Sequence, residues 1–92
     1  MTYLITSKNV QSVLTYPLSL KTVEAAFKAF GQGKAFQPPK SYLTFKDGDL
    51  RSMPAYINAP GMNIAGIKSV NVHPDNLKKF GLPTVMATIL LT

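Results

Sequence analysis

Two cations stand where strand alternation leaves them among apolar neighbours. In Ile64-Ala65-Gly66-Ile67-Lys68-Ser69-Val70-Asn71-Val72 the even positions share one face. Lys68 thus interrupts an otherwise apolar row of Ile64, Gly66, Val70 and Val72. An ammonium in that setting needs an anion or a route to the rim. It either binds a substrate carboxylate, or moves a proton from a depressed pKa, or snorkels from a strand whose other face is the buried one. Arg51 raises the same question, sharing a face with Met53, Ala55 and Ile57. A guanidinium grips a carboxylate at two points, so Arg51 and Lys68 together could hold a small amino or keto acid. The plainer alternative is a surface arginine beside Asp47 or Asp49.

Other chemistries find little support. His73-Pro74-Asp75-Asn76 sets a titratable imidazole among turn formers, and as the single histidine it has no visible partner. Met53 and Met86 read first as core filler. With no cysteine, disulfides and thiolate metal sites are excluded, and no carboxylate cluster offers ligands to a hard cation. No Ser-His-Asp apparatus has a recognisable spacing. Gly31-Gln32-Gly33 lacks a third glycine and follows a helix rather than a strand, so it is not a dinucleotide loop of the usual kind.

The elements that would carry these residues fall in two groups. Tyr3 to Ile5 reads as a short strand, after which Thr6 or Ser7 caps a helix through about Leu14. Pro17 opens a second helix, with Leu20, Val23, Ala26 (or Phe27) and Phe30 at helical spacing and Gly31 and Gly33 at its end. Strands follow: Tyr42–Phe45, a turn at Lys46–Asp49, Leu50–Ile57 interrupted at Pro54, then Ile64–Val72. A loop over 73–83 leads to a last strand from Thr84 to the final residue. The expected fold is α+β, two helices before a mostly antiparallel or mixed sheet of about four strands.

Composition narrows the function classes. Ninety-two residues make one small domain, and 46% hydrophobic content is ordinary for a globular chain. No apolar run approaches the ~20 residues of a membrane span. The N-terminus has no basic segment ahead of an apolar one, which points to a cytoplasmic address. The net charge of +6 raises nucleic acid as a partner, but the basic residues are scattered and all but Arg51 are lysine. A solvated basic surface is the simpler reading, so neither nucleic acid nor membrane is expected.

Four blocks in register carry a resemblance. They are Gln37-Pro38-Pro39-Lys40, then Asp49-Leu50-Arg51-Ser52-Met53-Pro54-Ala55-Tyr56, then Ala65 through Asn76, then Gly81-Leu82-Pro83-Thr84-Val85-Met86-Ala87. Together with the helix Val23–Phe30 they resemble the N-terminal domain of the ornithine cyclodeaminase/mu-crystallin family. That family includes archaeal-type alanine dehydrogenase and reductases of cyclic ketimines such as pyrroline-2-carboxylate. It spans lyases and oxidoreductases that use NAD or NADP.

The resemblance implies a domain that forms a homodimer interface through its strands and holds a small amino or imino acid. A Rossmann domain would follow it. It implies Lys68 as catalytic and substrate-contacting residue, with Lys40, Arg51 and Met53 also on the substrate. Thr84 would lie on the cofactor side. Lys40 stands where members usually have arginine, which keeps the charge and loses the two-point fork. The Arg-x-Met-Pro-Ala-Tyr form over 51–56 resembles alanine dehydrogenase-like members more than ornithine-type ones. Residues 1–92 are expected to be a single partial domain, because Leu90-Leu91-Thr92 breaks off inside an apolar strand pattern. Such a chain would bind no dinucleotide tightly and would not turn over alone. A stand-alone dimeric module that binds small acids, or serves interaction without catalysis, is the alternative.

Overall fold

The computed structural model describes all residues from Met1 to Thr92. Two helices come first, α1 (Ser7–Val13) and α2 (Tyr16–Gly31). Each has its start written in the sequence. Thr6 caps α1 by accepting from the Asn9 N–H at 3.3 Å, while the Asn9 carboxamide accepts from the Thr6 N–H at 2.8 Å. Thr15 Oγ1 accepts from the Leu18 N–H at 3.2 Å, and Pro17 fills the first turn, where its missing N–H costs nothing. Thr15→Ala is expected to lower stability by about 1 kcal/mol, leaving an orphan donor at that end. For a chain of this size that is a fall of about 4–8 °C in melting midpoint, and an unchanged midpoint would show the cap to be idle.

The rest is one antiparallel sheet. Its strands are β1 (Ala35–Phe36), β2 (Ser41–Phe45), β3 (Gly48–Ala59), β4 (Met62–Val72) and β5 (Val85–Leu91), with α3 (Asn76–Phe80) between the last two. The path is β1-β3-β4-β5, and β2 also pairs with β3. Since β4 takes one edge of β3, β1 and β2 share the other, β1 at Tyr56–Ile57 and β2 at Gly48–Ser52. The α+β expectation holds, with five strands rather than about four and every pairing antiparallel.

Several boundaries differ from expectation for physical reasons. Tyr3–Ile5 forms no strand, because no strand of the sheet pairs with it. The hairpin turn is only Lys46-Asp47, so Gly48 and Asp49 already belong to β3. Pro54 does not interrupt β3. The Asn58 N–H, of the same parity, donates at 2.8 Å to the Lys34 carbonyl on the β1 side. The Pro54 nitrogen therefore faces the gap between β1 and β2, where no ladder bond is lost. The 73–83 loop contains α3, a single turn too short for periodicity to reveal, closed by Gly81 at φ 68°. Asn76 is buried there, its amide donating to the Pro83 carbonyl at 3.1 Å.

Helix α2 lies over one face of the sheet, against β1 and β3. The burial this achieves is slight: only Ala29, Val70 and Asn76 are buried, and no large side chain is fully so. Leu20, expected on the packed stripe, is 72% exposed. The chain shows 7805 Å² to solvent, against roughly 5,200 Å² for a compact protein of 10.0 kDa. No helix is long and apolar enough to cross a membrane.

Candidate functional site

The face of the sheet turned toward α2 collects the candidate residues. Direct cross-strand partners point the same way, so register decides membership. One row runs Tyr42, Arg51, Val70, Ala87, and the next runs Met53, Lys68, Ile89. Ala55, Gly66 and Leu91 form a third. Lys68, Arg51 and Met53 therefore meet on one surface, although Arg51 lies 17 positions from Lys68 in sequence.

Beside this surface lies a groove of about 500 Å³ between α2 and the strands. Phe27 and Phe30 of α2 wall it on one side, with Met53, Ala55, Gly66 and Leu91 among the strand residues opposite. Lys68 is the one charged residue in its lining. It forms no ion pair, although Arg51 and Lys79 both do. An unpaired ammonium among apolar walls is a place for an anion carrying an apolar body. Alternation left open which face of β4 is packed; the Lys68 row is the one turned toward α2, while the Lys68 side chain itself stays exposed. Gly66 is needed beside it, because a Cβ there would stand 2.9 Å from the Leu90 carbonyl oxygen.

Arg51 has the neighbour that the plainer reading named. Its Nε donates to Asp49 Oδ1 at 2.8 Å and its Nη2 to Oδ2 at 3.2 Å. That hydrogen bond, reinforced by the Asp49 charge against some desolvation, holds the guanidinium above its ordinary pKa. It is a cation at any working pH. Its Cζ also lies 5.1 Å from the centroid of the Tyr42 ring, and Lys40 Nζ lies 5.9 Å from the same ring. Tyr42 was not singled out from the sequence. The signal was present in Lys40-Ser41-Tyr42, whose alternation aligns the outer two residues once a strand is assumed.

Thr84 and His73 stand apart from this group. The Thr84 carbonyl accepts from the His73 N–H at 2.8 Å, just outside β5. His73 is five positions along from Lys68, on the order of 16 Å at strand rise. Its imidazole packs tilted on the Phe45 ring at 5.6 Å, which gives it a structural occupation. No group of three metal-ligating side chains exists. The only Gly-x-Gly, Gly31–Gly33, begins on the last residue of α2, so these residues build no strand-turn-helix cradle for a pyrophosphate.

The model of the ornithine cyclodeaminase/mu-crystallin family matches residues 1–92. An alanine dehydrogenase of Archaeoglobus fulgidus is 47% identical over 90 residues, covering 98% of this chain and 26% of that protein. A solved archaeal alanine dehydrogenase dimer with bound NAD is similar at 46% identity and a TM-score of 0.84, over 96% of this chain and 26% of that one. The Delta(1)-pyrroline-2-carboxylate reductase of Thermococcus litoralis, solved with NADH and L-proline, is 30% identical with a TM-score of 0.81. That match covers 90% of this chain and 25% of the reductase. The chain thus spans about a quarter of the length of these relatives.

Proposed function

The chain belongs to the ornithine cyclodeaminase/mu-crystallin family, and from that premise we propose that it forms the acid-binding wall of an NAD-dependent amino- or imino-acid oxidoreductase. The observation that carries the reading is Lys68, alone among charged residues in the groove and without an ion pair. Lys68 takes the substrate carboxylate and stabilises charge as a proton moves at the substrate nitrogen. Arg51 and Lys40 complete the cationic side, and Met53 packs on the aliphatic part. Lysine at position 40 binds as a point charge rather than a fork, so orientation falls to Arg51.

NAD supplies the hydride chemistry when bound, and Thr84 is assigned to its side of the site. The pyrophosphate cradle belongs to another part of the working enzyme, because these residues contain none. Alanine is the preferred substrate over ornithine, in line with the 47% identity to an alanine dehydrogenase. The working assembly is a cytoplasmic homodimer closed through the sheet. The excess of exposed area over a compact monomer, some 2,600 Å² from the 7805 Å² observed, surpasses the ~800 Å² per partner of a standard interface.

The test is a chimaera in which residues 1–92 replace the matching portion of the Archaeoglobus fulgidus alanine dehydrogenase. It is expected to elute as a dimer and to reduce NAD with alanine at a kcat/KM within about tenfold of the parent. A folded, dimeric chimaera with no alanine turnover would overturn the proposal.

A further inference from the structure

Arg51 cannot present all of its donors to a ligand, because one edge is taken. Of its five N–H groups, the Nε–H and one on Nη2 are engaged by the two Asp49 oxygens at 2.8 and 3.2 Å. The edge still open is the end-on one, formed by Nη1 and the second N–H of Nη2. Asp49 can do this because it lies two residues before Arg51 on β3, hence on the same face. Tyr42 is the direct cross-strand partner of Arg51, and its ring supports the guanidinium at 5.1 Å. The same ring receives Lys40 at 5.9 Å. The π-electrons of that ring thus attract both cations and offset part of their mutual repulsion.

We propose that Asp49 and Tyr42 are positioning residues that hold Arg51 so that only its end-on edge meets the substrate carboxylate. The inference rests on the carboxylate-binding reading of Arg51 and deepens it. A free arginine side chain loses rotamer freedom on being fixed. Here the fixing precedes the ligand, so the binding step does not bear that cost. The arrangement also sets specificity. An end-on fork matches an anion with two equivalent oxygens and rejects the corresponding carboxamide, which offers one acceptor and a misplaced donor.

The experiment uses the chimaera and compares Arg51→Ala, Asp49→Asn, Asp49→Glu and Tyr42→Leu, with KM and kcat measured separately for alanine. Inhibition by propionate is measured against that by propionamide. Asp49→Asn and Tyr42→Leu are each expected to raise KM about tenfold, leave kcat within threefold and narrow the preference for propionate over propionamide. Asp49→Glu is expected to restore most of the KM. If Arg51→Ala raises KM while Asp49→Asn and Tyr42→Leu do not, Arg51 binds the carboxylate without this frame and the inference falls alone. An Arg51→Ala variant with unchanged KM removes the carboxylate role of Arg51 and the inference with it. A fall in melting midpoint together with kcat, at unchanged propionate preference, marks Asp49 and Tyr42 as structural only and overturns the inference too.

Discussion

Replacing Lys68 by alanine in the chimaera is expected to lower kcat/KM for alanine by about 100-fold or more while leaving the melting midpoint nearly unchanged. The two halves of that expectation come from the same geometry. Lys68 is the one charged residue lining the groove, so no other groove residue can supply its ammonium to an anion, and Arg51 and Lys40 act from outside that lining. Removing an oriented charge or donor that stabilises the reacting species costs on the order of 10²–10³ in rate. Yet the side chain is exposed and forms no ion pair, so its loss breaks nothing in the fold. Substitutions at such positions stay within about 0.5 kcal/mol. Steady-state kinetics with a parallel melt decide the matter. Turnover within threefold of the unsubstituted chimaera would remove Lys68 from the site.

The second large effect concerns the fold rather than the chemistry. Gly48 opens β3 immediately after the two-residue turn Lys46-Asp47, opposite Phe45. A Cβ on Gly48 would overlap the Val72 carbonyl oxygen and stand 2.9 Å from His73 Nδ1. The obstacle is mainly backbone, held by β4, and has no rotamer through which to move away. Gly48→Ala is therefore expected to cost roughly 3 kcal/mol, at the upper end for overpacking. That corresponds to a fall of more than about 10 °C in the melting midpoint. Gly31→Ala is the control, since a Cβ there meets nothing within 4 Å and the φ is not left-handed. It should change the midpoint by no more than about 4 °C. Equal effects at the two glycines would show that the close approach to Val72 is not the cause.

Much of this arrangement was legible in the sequence. Thr6 announces a helix start because a hydroxyl three residues ahead of an orphan N–H satisfies it wherever the chain goes, and Pro17 marks the second because its fixed φ suits a first turn. Pro60-Gly61 closes the β3–β4 hairpin because Gly61 adopts φ 79°, where side chains are disfavoured. Alternation placed Lys68 on a face with Ile64 and Val70. The motif blocks carried the family. Each of these signals spans only a few residues, or is fixed by likeness to other chains, so no fold was needed to read it.

What tertiary structure alone decided is which of those residues meet. The sequence offered Arg51 either Asp47 or Asp49. The register of the hairpin put Asp47 in the turn and Asp49 on the Arg51 face. The short β1, the helix α3 and the continuous run of β3 through Pro54 depend on neighbours far along the chain, so local pattern could not report them. Alternation named two possible buried faces for β4, and only the placement of α2 over one of them made Lys68 the sole charge in a groove. Chain composition fixed what chemistry was available. Strand register and helix docking, which are set by nonlocal contacts, fixed where it converges.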